Sequence, residues 1–480
     1  MTSFARGMLV TFEGFLLVYF ASVNLFYLVQ LLLAGLEVRE HQKRLRLDPL
    51  WRVLDSSVAP RITVLSPAHN EQLTIISSVR ALLGLDYPNL RVVVINDGSG
   101  DATLEVLLQA FDLRVAPGAL GHIDTERVRG VYRSPSHPHL IVVDKENGGK
   151  ADALNAGLNQ VRTDLVCAID ADTLIERDAL QRMVRPFLLE ESGVLAAGGT
   201  IRVANGSKIV AGRVVEAKVP RRWLARVQVV EYLRAFLFGR TGWNRMGGNL
   251  IVSGAFGLFK TEDLIAAGGY EADTVGEDAE LVARLRRNAR LEGRSDRVVF
   301  VPDPVAWTEV PSRFRTLRRQ RARWHRGLAQ VLSRHRRMIF NPRFGALGLV
   351  VMPYFLLVEL IAPVIESMGL AALAIGIPAG FVNTEFAIAY FLVAYGLGAI
   401  VSLAALLAEE VTYHRYRRAR SRIRLVLAAL AENTGYRQLT VLWRFQGLIE
   451  FLRRREHWGH MERAGFEGAA STEIAPDQAR

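Results

Sequence analysis

"LVCAIDADT", residues 165–173, decides how this chain is read. Leu165 to Ile169 is an unbroken apolar run that ends on two acids, Asp170 and Asp172. An apolar run of this length bounded by polar residues suits a strand buried on both faces. Charge at the end of such a strand costs free energy unless something pairs with it. Residues i and i+2 of a strand point to one side, so both carboxylates can face a single ligand. Oxygen-only ligation suits Mg2+ or Mn2+ shared with substrate phosphates. Taken alone, the pair is also consistent with solvated loop acids.

Working outward, short apolar runs alternate with helical patterns from residue 61 onward. "RITVLSPAHNE", "LRVVVINDGS", "HLIVVDKENGGK" and "LVCAIDADT" read as strands with polar endings, and helical spacing lies between them. This alternation predicts a mostly parallel sheet covered by helices on both faces. Ligands of such sheets sit beyond the carboxyl ends of the strands. Four polar endings converge there: 67–71, 96–99, 145–150 and 170–172. "NDGS" offers Asp97 as an acceptor beside Gly98, although Asp-Gly-Ser also makes a turn readily. "NGGK" opens a helix with exposed backbone N–H groups and Lys150, a pairing suited to a diphosphate. In "VGEDAELVARLRR", Glu277 and Asp278 stand at a helix start; the helix dipole favours acids there, and a carboxylate there can also deprotonate a hydroxyl. "QRARW" places Gln320, Arg323 and Trp324 on a helix with ten arginines from Arg313 to Arg337. Phe314, Leu317, Trp324, Leu328 and Val331 form its apolar stripe, so a helix on the membrane surface is expected.

The formal net charge of +12, from 60 Lys+Arg against 48 Asp+Glu, asks for an anionic partner. Nucleic acid, a phosphorylated small molecule and a membrane face all qualify on charge alone. The single cysteine, Cys167, excludes an intrachain disulfide framework. Residues 8–36, 344–380 and 386–408 are long apolar stretches. Basic flanks "EVREHQKRLR", "RRQRARWHRG" and "HRYRRARSR" predict that the large polar region lies on the cytoplasmic side. Glu359 and Glu366, inside the second stretch, are expected to face protein or water.

In combination, these motifs are far more specific than singly. Asn96-Asp97-Gly98-Ser99, Asn147-Gly148-Gly149-Lys150, Asp170-Ala171-Asp172, Glu277-Asp278 and Gln320-x-x-Arg323-Trp324 resemble, in order, the membrane-embedded family 2 glycosyltransferases. That family includes cellulose, hyaluronan and poly-N-acetylglucosamine synthases. The resemblance implies an α/β GT-A fold (Rossmann-like, mostly parallel) in the cytoplasm, plus α-helical transmembrane segments. It implies inverting, metal-dependent transfer from a nucleotide-sugar, usually a UDP-sugar, to a glycan or lipid acceptor. By resemblance Asp97 contacts the nucleotide base, and Asp170 and Asp172 are the family's Asp-x-Asp, whose second acid binds Mg2+ or Mn2+ on the diphosphate; Lys150 adds positive charge for the nucleotide-sugar. Asp278 is then the general base. Gln320, Arg323 and Trp324 lie at the diphosphate and acceptor, and Ser253 and Gly254 of "SGAFG" in the acceptor loop. Gly276 departs from the Thr that many members place before Glu-Asp.

The expected division is a transmembrane helix in 1–40, the GT-A domain in 55–310 and an interfacial helix in 311–343. Transmembrane helices in 344–410, membrane-surface helices in 411–462 and a disordered tail in 463–480 follow. The expected location is the inner membrane, multi-pass, with the bilayer as a partner and no nucleic acid. Three spans are few for a pore, so export asks for a partner or a homo-oligomer. A single-addition glycolipid-forming enzyme would use the same motifs. A non-catalytic basic membrane protein would leave the ordered acids unexplained.

Overall fold

A computed structural model describes residues 3–47, 59–119, 121–170, 173–189, 193–210, 212–295, 297–380, 384–416 and 418–454. Asp172 and the tail 463–480 lie outside the described residues. The strands are β1 (Ile62–Ala68), β2 (Leu90–Asp97), β3 (Arg114–Ala116), β4 (Val128–Arg133), β5 (Leu140–Lys145) and β6 (Leu165–Ile169). They are followed by β7 (Leu174–Ile175), β8 (Val194–Val203), β9 (Lys208–Val210), β10 (Arg213–Glu216), β11 (Phe256–Lys260) and β12 (Arg297–Thr308). Ten of them form one sheet in the order β3-β4-β5-β2-β1-β6-β11-β8-β12-β7, and β9 pairs with β10 in a separate hairpin.

β5, β2, β1 and β6 run parallel. Every residue of β5 and β6 is buried, as continuous Val/Ile/Leu runs require when helices cover both faces. Their polar endings do meet along one edge. The expectation of a mostly parallel sheet holds for these four strands and for β8 with β12, which also pair parallel. β11 runs antiparallel between β6 and β8, β4 runs antiparallel to β5, and β7 to β12. The sheet is therefore mixed. The cause is the excursion between β8 and β11, which leaves and re-enters at the same edge. It contains the β9–β10 hairpin and a helix, Trp223–Tyr232, continuing through a π-helical Leu233–Arg240 into Thr241–Trp243. A strand that follows such a return must run back down the sheet.

Among the described residues, three helices are long and apolar enough to cross a membrane: Val10–Arg46, Leu347–Gly376 and Glu385–Tyr413. The two acids of the second carry partners. Arg444 lies 3.0 Å from Glu359, and Arg437 lies 3.2 Å from Glu366. Both arginines sit on the helix Arg437–Leu452, which packs between the second candidate span and the helix Phe314–Arg334. The latter departs from the simple expectation of arginines facing lipid. Arg321 and Arg326 are buried in the protein, Arg321 against Glu231 at 2.7 Å. Protein packs on both sides of this helix, so its basic residues divide between solvent and internal ion pairs.

The sheet is tied to the candidate spans by charge. Arg202 of β8 makes a bidentate pair with Glu409 of the third, at 2.6 and 2.7 Å, and both side chains are buried. His41, on the long first helix, lies 2.6 Å from Asp303 of β12. Removing one partner of a buried pair strands the other charge, at a cost of about 3–5 kcal/mol. Arg202→Met should lower stability by that order in detergent-solubilised protein, and Arg202→Met with Glu409→Met should recover most of it. Thermal unfolding of the two variants beside the wild type is the check; equal destabilisation by both would mean that the charge pair is not the source.

Candidate active site

Asp97 ends β2 opposite Lys145 of β5 in the strand register. Both are buried, and Lys145 Nζ donates to Asp97 Oδ1 at 2.8 Å. The Gly148 and Gly149 N–H groups donate to the same carboxylate at 3.0 and 2.9 Å. Lys145 is shared with Asp152 at 2.5 Å. The "NDGS" and "NGGK" loops are thus clamped by one carboxylate. Glycine is needed at both turns: Gly98 has φ +60 and Gly149 φ +85, and a Cβ on Gly98 would stand 2.6 Å from the Asn147 nitrogen. Nothing in the spacing singled out Lys145; a lysine at the end of a buried strand was the only signal.

Two strands away, Lys150 opens the next helix and turns its ammonium onto the end of β6. Nζ lies 2.6 Å from Asp170 Oδ1 and 3.3 Å from Glu277 Oε1. It also donates to the Gly254 carbonyl at 3.3 Å. The Gly254 N–H donates to Asp278 Oδ2 at 2.8 Å, and Asp278 Oδ1 accepts from the Ala279 N–H. Gly254 is caught between the two: a Cβ there would come within 2.9 Å of Lys150 Nζ and 3.3 Å of Asp278 Oδ2. Burial alone would lower the Lys150 ammonium, but Asp170 and Glu277 outweigh it and hold the pKa well above the ordinary value. Burial raises the Glu277 carboxyl; Lys150 opposes that and Asp278 adds to it. The structure therefore brings Lys150, Asp170, Gly254 and Asp278 together, adds Glu277, and gives Asp170 an amine as partner.

Gly276, the departure from the family pattern, has a packing role. A Cβ on it would meet the Gly327 Cα at 3.3 Å, and a Cβ on Gly327 would meet the Gly276 Cα at 3.2 Å. The loop before Asp278 and the helix Phe314–Arg334 thus touch backbone to backbone. A larger residue at either position would push the Gln320-Arg323-Trp324 helix away from the acids.

A cavity of about 2340 Å3 opens on the cluster. Its wall carries Lys150, Asp170, Ser253, Glu277 and Asp278, then Gln320, Arg323 and Trp324, and then Tyr27, Glu359 and Arg437 among the candidate spans. Gln320 is buried, and its Oε1 has no hydrogen-bond partner among the described residues. Trp324 is 44% exposed, with the Arg321 guanidinium 4.5 Å above its ring. Asp97 is not part of this wall. Among the described residues no group of three or more His, Cys, Asp or Glu is placed to hold a metal ion. The described donors are oxygens already partly neutralised by Lys150. They fit a hard cation only when it is shared with Asp172 and with phosphate oxygens brought by a ligand.

Two bases on this wall, Arg240 half-buried and His325 buried, escaped the sequence reading. Arg240, at the end of the π-helical stretch, stacks on Phe236 at 4.1 Å, and burial pulls its pKa down to about 10 against the opposing charge of Asp278. His325 follows Trp324 and is 3% exposed, and its Nε2 has no hydrogen-bond partner among the described residues. Burial, then the charge of Arg444, lowers its pKa from 6.5 to about 3. A base with a depressed folded pKa supports stability fully above the unfolded value, and that support is lost as pH falls toward the folded one. Between pH 6.5 and 3 this group should therefore remove stability at up to about 1.4 kcal/mol per pH unit. His325→Gln should flatten that limb of the pH–stability profile, measured by denaturation in detergent; an unchanged slope would exclude His325 as its source.

A family model described as "Glycosyltransferase like family 2" matches residues 60–327. The chain is 29% identical over 274 residues to a poly-beta-1,6-N-acetyl-D-glucosamine synthase of Staphylococcus aureus strain COL, covering 57% of this chain and 56% of the relative. It is 28% identical over 273 residues to the synthase of the same description from Staphylococcus epidermidis, again covering 57% and 56%. The match thus spans little more than half the length of these curated relatives. Among solved structures, a mannosyltransferase of Pyrobaculum calidifontis in complex with GDP-Man and Mn2+ is similar at 20% identity and a TM-score of 0.48, covering 91% of this chain and all of that one. The family match runs from just before β1 to Gly327 and takes in the carboxylate cluster with Lys150 and the Gln320-Arg323-Trp324 motif: this chain belongs to glycosyltransferase-like family 2.

Proposed function

We propose that the chain is an inverting, metal-dependent glycosyltransferase that moves a sugar from a nucleotide-sugar, of the UDP-sugar class, onto a growing polysaccharide at the cytoplasmic membrane face. One observation carries this reading: the Lys150, Asp170, Glu277 and Asp278 cluster lies on the wall of a cavity that continues past Gln320, Arg323 and Trp324 to the candidate spans. Asp278 is the base. The Gly254 N–H holds one of its oxygens and the Ala279 N–H the other, so the carboxylate is aimed before the acceptor arrives. An acceptor hydroxyl beside it gives up its proton as its oxygen attacks the sugar carbon from the face opposite the leaving diphosphate. Asp172, with the donor's phosphate oxygens, would hold Mg2+ or Mn2+, which supplies Lewis-acid stabilisation to the leaving group. Lys150 and Arg323 add positive charge, and Asp97, fixed by Lys145 and two backbone N–H groups, is assigned to the nucleotide base.

The cavity is larger than a small-molecule site of roughly 300–1,000 Å3 needs. Its far wall carries the Glu359–Arg444 and Glu366–Arg437 pairs, and charged pairs suit a hydroxyl-rich glycan better than an acyl chain. The division into a catalytic region 55–310, an interfacial helix 311–343 and flanking spans, with the catalytic region inside, belongs to this reading. So do membrane-surface helices in 411–462 and an export partner or second copy. Purified protein offered a panel of nucleotide-sugars with Mg2+ or Mn2+ tests it, and product size separates polymer from single addition. No turnover of any donor would remove the reading.

Asp278→Asn should leave donor binding nearly intact and cut transfer by about 10²-fold or more, the usual range for a lost general base; weak donor binding with unchanged maximal transfer would reassign the residue to binding. Trp324→Ala should impair acceptor use more than donor binding and leave hydrolysis of the donor by water as the residual reaction. Its indole offers a stacking face and an N–H donor to a sugar ring. Hydrolysis and polymer formation, followed separately in detergent, decide the point: full transfer by the variant would reduce Trp324 to an interfacial anchor.

A further inference from the structure

The helices Trp223–Tyr232 and Ala419–Ala431 pack on each other through Leu224, Ala225, Leu425 and Ala428. That contact brings the loop before the first helix beside the opening turns of the second. The loop carries Arg221 and Arg222, and the opening turns carry Arg420 and Arg424; all four line the cavity. Arg226 stands between them, donating to the Pro220 and Arg221 carbonyls at 3.2 and 2.8 Å. It is within electrostatic reach of Arg424, and that like charge helps burial to lower its pKa. Among the described residues no ion pair joins any of these five arginines to a carboxylate. Glu216, on the same wall, is already shared between Lys218 at 2.9 Å and Arg418 at 3.3 Å.

Arg226 and Arg424 repel each other, the other three arginines add like charge on the same wall without a carboxylate partner among the described residues, and a dense anion relieves that repulsion. Guanidinium matches phosphate through paired N–H donors. The surroundings say where the phosphate comes from. Trp223, Ile423 and Leu427 are exposed apolar side chains among these arginines, and the second helix follows closely on the third candidate span, which ends at Tyr413. Arginines mixed with exposed Trp, Ile and Leu beside a span are the composition of a lipid headgroup contact.

We propose that Arg221, Arg222, Arg420 and Arg424 form a binding site on the cavity wall for the phosphate group of a membrane lipid. The site stands on its own charges. Only its use, to anchor a lipid-borne acceptor facing Asp278 across the same cavity, rests on the transferase reading above.

Full-length protein in detergent is titrated with dioctanoyl phosphatidic acid, with dioctanoylglycerol, which lacks the phosphate, and with inorganic phosphate. The expected result is saturable binding of the phosphatidic acid and none of the dioctanoylglycerol. R221Q/R222Q/R420Q/R424Q should weaken the binding at least tenfold, whereas R315Q/R319Q, on exposed arginines of the helix Phe314–Arg334, should not. The pairs R221Q/R222Q and R420Q/R424Q, measured separately, should each lose part of the affinity, which covers the case of a fourfold variant that does not fold. Unchanged binding in both pairs overturns the proposal. So does equal loss in R315Q/R319Q, which would mean diffuse charge, or inorganic phosphate binding as tightly as the lipid, which would mean a free-phosphate site. Donor turnover is read on the same preparations: lipid binding without any turnover upholds this site and removes the transferase reading.

Discussion

The Lys150 ammonium is the interaction on which the site depends. Asp170, Glu277 and Asp278 come from a strand end and a helix start far apart in sequence, and three carboxylates so close would separate without a cation among them. Lys150 lies against two of them and against the Gly254 carbonyl, while Gly254 hands its N–H to the third. One amine thereby joins the helix after "NGGK", the end of β6, the "SGAFG" loop and the helix that begins at Glu277. The mixed sheet follows the same logic. β11 must run back between β6 and β8 for Gly254, just before it, to arrive at the edge where Lys150 and Asp170 already are.

The sequence showed the edge well and its internal wiring poorly. Buried strands announce themselves by composition, and the polar residues that end them stand out by contrast; Asp97 and Asp170 were legible in this way, and Lys150 and Asp278 by their places at helix starts. Asp172, read by the same contrast, falls outside the described residues. The charge partners were not legible, because they depend on register. Asp97 faces Lys145 since the strands pair at that offset, and Lys150 reaches Asp170 since β1 lies between β2 and β6. The reversal of β11 was hidden for another reason: an apolar strand carries no mark of its direction. Gly276 stood out only as an exception, and its cause, a backbone contact with Gly327, lies some fifty positions along the chain.

The helix Phe314–Arg334 shows how a strong local pattern can leave out half of a helix's surroundings. Its stripe of apolar residues and run of arginines describe a helix on a membrane surface, yet Arg321 and Arg326 are buried in protein contacts. A basic helix sandwiched between the sheet domain and the helix Arg437–Leu452 has the same residue pattern as one lying on lipid. What separates the two is the acids that meet it, Glu231 and Glu450, and they are remote in sequence.

The buried pair between Arg202 and Glu409 makes the catalytic sheet sensitive to the helical phase of the third candidate span. An α-helix turns about 100° per residue, so one residue added or removed upstream within that span would swing the carboxylate to another face. The sheet would then lose its grip or have to turn with the helix. The span thus acts as a keyed shaft as well as an anchor, and its length in residues is constrained by the sheet's orientation as much as by the thickness of a bilayer.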